Sequence, residues 1–290
     1  MLPNNNFSPL PFYKSLAEQN ARKWWLFGKV YPLYAQGGFL IPFQIMLPAD
    51  SERRGTQADI HLFRADGSLY GALSLTLHYY TIGNLCFYVY NGSSSSGPVP
   101  NGRYYLRFDD SVDDLYSEIF TVVNDTEPFL RINWYDREDL VMDAGRIIYR
   151  DGYSNILYLQ ADLAKPDYLF TEEGEERDGY YYPLKLISEK RYRFKFWASE
   201  YLLDVMRFIR MSDYVTITYR GKSYQPDTFL LTPEWEAEGD VASVQVEFDT
   251  ATVAKKIGLG YLRGLRGDFN VDYNDDFDNR EQAPEEETEG

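Results

Sequence analysis

The chain has little of what many enzymes and secreted scaffolds rely on: 290 residues include one cysteine and two histidines. A single thiol, Cys86, excludes an intramolecular disulfide and any cysteine-rich metal site. It sits in the apolar run Leu85-Cys86-Phe87-Tyr88-Val89-Tyr90, so a buried strand residue is expected. No histidine lies nearby in sequence to make it a reactive thiol. His61 lies in a strand-like run and His78 ends one; both read as structural. Basic residues are also scarce, 29 Lys and Arg against 45 Asp and Glu, for a net charge of −16 and a pI of about 4.6. Such a surface repels a phosphate backbone, so no direct nucleic-acid partner is expected. No apolar run reaches the roughly 18 residues of a membrane span, so no membrane partner is expected either. Met1–Leu10 has no basic segment leading into an apolar core, so no signal peptide is expected. The sequons at Asn91 and Asn124 are therefore expected to stay silent.

Motifs of cofactor chemistry are equally thin. Gly258-Leu259-Gly260 finds its next glycine at Gly264, one position late for a dinucleotide fingerprint and outside a strand-to-helix unit. Asp268-Phe269-Asn270-Val271-Asp272 has the alternating acids of a calcium loop, but its sixth position is Tyr273 and its twelfth Asn279. No cofactor, metal or catalytic residue is expected. A carboxylate-pair hydrolase would need two close acids in a cleft, one with a raised pKa, and the sequence selects no such pair.

What the chain does have is aromatic side chains, 17% of all residues with Tyr 26 and Phe 18. Tyr and Phe favour half-buried strand surfaces, and Tyr suits interfaces through its apolar ring and polar tip. Short strands with turn signals recur from Trp24 to Val123. Leu73, Leu75 and Leu77 alternate with polar residues, as do Tyr104, Leu106 and Phe108, and Asp66-Gly67 and Asn101-Gly102 mark turns. The fold class expected is mainly β: an N-terminal antiparallel, immunoglobulin-like β-sandwich, then a β-domain with one packed α-helix. The helix, residues 199–211, opens on Ser199 as N-cap and puts Leu202, Val205, Met206 and Ile209 on one face. The domains expected are an arm at 1–19, the sandwich at 20–126, the β-domain at 127–258 and a Gly-punctuated, acidic tail at 259–290. Asn124 to Pro128 reads as a linker between the two domains. From Asp268 to Gly290 there are ten acids and one Arg, too charged and too poor in apolar residues to fold alone.

Three stretches carry a resemblance. Glu172 to Thr218 (EEGEERDGYYYPLKLISEKRYRFKFWASEYLLDVMRFIRMSDYVTIT), Gly221 to Thr250 and Pro100 to Val123 (PNGRYYLRFDDSVDDLYSEIFTVV) resemble structural virion proteins of tailed phages and prophages of gut bacteria. The resemblance implies a tail, collar or baseplate component. It would act by self-assembly, as a homo-oligomeric ring, and through contacts with other virion proteins, after assembly in the host cytoplasm. Tyr168 to Tyr182 is then expected to be a long hairpin or loop that reaches a neighbour, with Thr171 to Gly179 as a loop or hairpin tip. The interface candidates are Glu172, Glu173, Glu175, Glu176 and Arg177, with Tyr180, Tyr181 and Tyr182. Exposed aromatics with a polar rim are what interface hot spots look like. The arm and the acidic tail are expected to reach partners as well. The alternative is a carbohydrate-binding or adhesin module, in which Trp24, Trp25, Trp134, Tyr180 to Tyr182 and Trp235 supply a sugar-stacking platform.

Overall fold

The computed structural model describes residues 8–21, 33–36, 40–53, 55, 58–92, 99–137, 140–141, 147–235 and 241–257. In chain order these begin with β1 (Phe12–Tyr13), α1 (Leu16–Ala21), β2 (Tyr34–Gln36), β3 (Phe43–Pro48), β4 (Asp59–Arg64), β5 (Leu69–Leu73) and β6 (His78–Ile82). There follow β7 (Leu85–Tyr90), β8 (Gly102–Asp109), β9 (Asp114–Ser117), β10 (Phe120–Val123), β11 (Leu130–Tyr135), β12 (Leu140–Val141), β13 (Ile147–Ile148) and β14 (Asn155–Leu159). The rest are β15 (Asp167–Arg177), β16 (Tyr180–Ser199), α2 (Glu200–Met206), β17 (Tyr214–Tyr219), β18 (Lys222–Tyr224), β19 (Leu230–Trp235) and β20 (Val241–Ile257).

The fold is mainly β. One sheet runs β1-β9-β8-β10-β2-β14-β11-β17-β18, with β4 paired to β8 and β5 to β4. A second holds β3-β7-β6, a third β15-β16-β20-β19, and β12 pairs with β13. Among the described residues β10 pairs with β2 in parallel and with β8 antiparallel. The first two sheets close a sandwich: Tyr88 of β7 meets Phe108 of β8 edge-on, centroids 4.8 Å apart. The alternation read at Tyr104, Leu106 and Phe108 turns all three rings and chains inward, where they are buried. Cys86 is a fully buried β7 residue, and burial pushes its thiol pKa up.

The chain divides into two compact units, Met1–Lys165 with Tyr192–Asp249, and Pro166–Arg191 with Thr250–Gly290. The segment 124–128, expected as a linker, lies inside the first of these. It is a tight polar turn in which Phe129 N–H donates to Thr126 O at 3.0 Å and Glu127 N–H to the Asp125 carboxylate at 3.0 Å. The strands on either side, β10 and β11, belong to one sheet. A run of polar turn residues looks the same in sequence whether it separates domains or two strands of one sheet.

The arm expected at 1–19 is corrected from Ser8 onward. Leu10, Phe12 and Tyr13 are core residues of their own chain, and β1 pairs with β9. Tyr13 donates to the Glu118 carboxylate at 2.9 Å, and the Gln19 amide donates to Ser117 O. Helix α1 starts on Ser15-x-x-Glu18: Glu18 N–H donates to Ser15 Oγ at 3.2 Å, and the Glu18 carboxylate accepts from Lys14 N–H at 3.1 Å. The prolines make this stretch read as a terminus, but its partners lie about a hundred residues later, out of reach of local pattern.

Helix α2 forms as read. Ser199, at φ −82° and ψ 162°, accepts from Leu202 N–H at 3.2 Å, and Leu202, Val205 and Met206 are buried. The expected span to 211 is completed by a 3-10 turn, Arg207–Met211, whose Ile209 is also buried.

Candidate interaction site

The second unit contains the hairpin that holds all the expected interface residues. β15 and β16 pair antiparallel from Asp167↔Arg191 to Arg177↔Tyr180. The turn is only Asp178-Gly179, at φ +51° and +77°. Two positive φ values are what a type I′ hairpin turn requires, and Asp-Gly supplies them cheaply. The acidic stretch from Thr171, expected as a loop, is therefore strand up to Arg177. At roughly 3.3 Å per residue, the eleven residues of β15 extend for about 36 Å. One irregularity lies between Glu173 and Gly174, where the partner register skips from Lys185 to Pro183. That leaves Leu184 as an extra residue on β16, a bulge.

Alternation assigns the faces. Tyr168, Phe170, Glu172, Gly174 and Glu176 share one face of β15; opposite them stand Lys190, Ser188, Leu186, Pro183 and Tyr181. The other face carries Leu169, Thr171, Glu173 and Glu175; in the backbone register Glu175 pairs with Tyr182 and Arg177 with Tyr180. Four of the hairpin's aromatic side chains face solvent: Tyr168 at 61%, Phe170 at 77%, Tyr180 at 70% and Tyr181 at 52% exposure. Lys190 Nζ stands 5.6 Å from the Tyr168 ring centre, a cation–π contact across the two strands. Glu172, Glu173 and Glu176 are exposed and Glu175 is half-buried. Of Arg177 and Tyr182 only the backbone is described. The expected acids and tyrosines thus do come together on one element. Tyr168 and Phe170 were missed as site residues; their alternation with Leu169 and Thr171 was the available signal.

The other candidate residues separate. Trp134 is fully buried in the core, Trp235 lies half-exposed at the end of β19, and Trp24 and Trp25 lie outside the described residues. A groove of about 690 Å³ in the first unit is lined by Gln160, Asp162, Arg193, Phe194, Lys195 and Gln245, among others. Two of its charges are already engaged: Arg193 with Glu247 at 2.8 Å, and Asp162 with the Tyr219 hydroxyl at 2.7 Å. The single aromatic in its lining, Phe194, is buried.

Two close acids occur at the β8–β9 turn, where Arg53 bridges Asp110 and Asp113. Its guanidinium contacts the Asp110 carboxylate and donates to Asp113 at 2.7 Å. Tyr88 also donates to Asp110, at 3.1 Å, as do the backbone N–H groups of Val112 at 3.1 Å and Asp113 at 2.9 Å. Burial opposes ionisation of Asp110, but the N–H donors and Arg53 outweigh it and hold its pKa below the usual carboxylate range. The arrangement is an ionised tie between the two sheets of the sandwich, and Asp110 is shifted down where a general acid needs to be shifted up. His78 Nδ1 lies 3.3 Å from Asp151, and His61 is half-buried on β4. Among the described residues no group of three His, Cys, Asp or Glu is placed to hold a metal ion, and no helix is long and apolar enough to cross a membrane. The stretches 258–264 and 268–279, read above for glycine and calcium motifs, lie outside the described residues, as does the acidic tail.

No family model and no curated protein matches the chain. Among solved structures, the chain is similar to one from the ZIG-8–RIG-5 IG1–IG1 heterodimer. The identity is 14% over 33% of this chain and 83% of that one, with a TM-score of 0.16. It is also similar to a chain of Dpr2 Ig1–Ig2 in complex with DIP-Theta Ig1–Ig3, at 8% identity over 78% of this chain and 90% of that one, with a TM-score of 0.14. Likeness at these TM-scores carries no argument, and the mainly β fold rests on the sheets described above.

Proposed function

We propose that the chain is a structural subunit of a tailed-phage virion, in the tail, collar or baseplate, and that it works by binding copies of itself and other virion proteins. The reading starts from the resemblance at Glu172–Thr218 and is supported most by one observation: the β15–β16 hairpin holds Phe170 and Tyr181 out to solvent on a single face. Exposed aromatic side chains gain about 25 cal/mol per Å² when covered, so a hairpin that displays several favours association. Light scattering of the purified protein across a wide concentration range tests this. A discrete oligomer that dissociates on the double substitution Phe170→Ser and Tyr181→Ser supports it. A wild-type monomer at every concentration, or an oligomer indifferent to the substitutions, counts against it.

A further inference from the structure

The chain carries 45 Asp and Glu, yet six adjoining strands of its large sheet, β10-β2-β14-β11-β17-β18, contain none. Their inward residues, among them Ile132, Trp134, Leu157 and Ile217, are core. The register lines up the outward ones. Arg103 of β8 stands beside Thr121, and the row continues through Tyr34, Tyr158, Arg131 and Thr218. Five steps between strands, at about 4.8 Å each, make the row about 24 Å long. Arg103 is exposed and the other five are half-buried, as on a sheet face that solvent reaches.

Neither Arg103 nor Arg131 has a carboxylate partner among the described residues. Arg131 lies over the Tyr158 ring at 5.9 Å, and its Nε–H finds no acceptor. Of the acids just beyond the strand ends, Asp213 pairs with Arg137 at 4.0 Å and Asp162 accepts from the Tyr219 hydroxyl at 2.7 Å. An acid-free face with two unpaired guanidinium groups fits a negative partner, because complementary charge steers partner choice and register. The rings on this face argue for a peptide over a sugar. Tyr34 packs on Phe129 at 4.7 Å, Tyr158 carries Arg131, and Tyr135 and Tyr214 stack on each other at 4.7 Å with Arg137 over the latter. A sugar needs an open aromatic plane, and each of these rings already has a neighbour. We propose that this face binds an extended acidic segment of another protein, laid across the strands from Arg103 to Arg131. These two positions are four strand steps apart, about 19 Å, the span of about six extended residues. The face belongs to the first unit, so the inference does not depend on the hairpin's role in assembly.

The probe is a fluorescent octapeptide, Glu-Glu-Ser-Gly-Ser-Gly-Glu-Glu, titrated into the full chain and followed by anisotropy. Its glutamate pairs are centred six residues apart. Saturable binding is expected, weakened about tenfold by Arg131→Glu and by Arg103→Glu. The second variant alters only an exposed side chain, so it reads the same contact if the first fails to fold. A control peptide with the four glutamates in one central block is expected to bind more weakly than the spaced one. Equal binding of the two peptides would reduce the site to diffuse charge attraction and overturn the inference. So would binding indifferent to both charge reversals, or no binding at all. Tighter binding of an oligogalacturonate than of the peptide would make the ligand an acidic glycan and overturn it as well. Light scattering of the Arg103→Glu variant separates this inference from the assembly reading. If the reversal changes the oligomer mass, the face is a contact between copies and the inference fails; if the wild type is monomeric yet binds the spaced peptide, the assembly reading fails instead.

Discussion

The hydroxyl of Tyr201, in the first turn of α2, donates to the backbone carbonyl of Ser8 at 2.6 Å, across 193 positions of sequence. It ties the N-terminal segment to the helix in a buried setting, and Leu10, Phe12 and Tyr13 continue the attachment. Tyr201→Phe removes this buried hydrogen bond, which costs about 1–3 kcal/mol. Removal of residues 1–13 takes out β1 and three core side chains, so it is expected to lower the denaturant midpoint of the isolated chain well beyond the point substitution. An N-terminal truncation that folds as stably as the full chain would show that these contacts are dispensable.

Arg53 and Asp110 form a buried pair whose partners differ in what they leave behind. Arg53→Met strands the Asp110 carboxylate in the sandwich, with an expected cost of about 3–5 kcal/mol. Urea unfolding at neutral pH measures it.

The same pair sets an acid dependence. Asp110 has a folded-state pKa below its unfolded one, so its contribution is complete above the unfolded value of about 3.9 and is lost as pH falls through the lower, folded value. Asp110→Asn is expected to be less stable than wild type at pH 7 and to lose less stability on acidification. Parallel acid slopes in the two proteins would show that Asp110 does not contribute.

Ser199→Ala removes the acceptor for Leu202 N–H and should cost about 1 kcal/mol, while Ser199→Asp should restore most of it. Thermal unfolding of the three proteins reads the order directly.

Gly179 at φ +77° allows the two-residue turn that sets the β15–β16 register. Gly179→Val puts a branched side chain in the left-handed region, and is expected to destabilise the hairpin locally while the sandwich unfolds as before. Hydrogen exchange at Asp167–Arg177 distinguishes local loss from global loss.

Where periodicity was strong and local, the sequence was sufficient. The alternation of Val244, Val246 and Phe248 gave a strand with all three buried, and Ser199 with Leu202, Val205, Met206 and Ile209 gave a capped, one-faced helix. The acidic run after Thr171 misled, because a strand exposed on both faces shows no apolar alternation and resembles a loop. β9 was missed for a related reason: Asp114–Ser117 is short, and its inward Leu115 pairs with Phe108 through a turn that holds the ion-paired Asp110.

By itself the sequence determined the fold class. Dense aromatics with strand periodicity dictate a β fold, since patterns two residues apart are set by backbone pleat alone. The tertiary structure decided what each strand pairs with. Only that pairing buried Phe12 beside its own chain's β9 and Phe43, left Phe170 in solvent, and made β15 an edge. Pairing is chosen by contacts between residues far apart in sequence, and no local pattern encodes them.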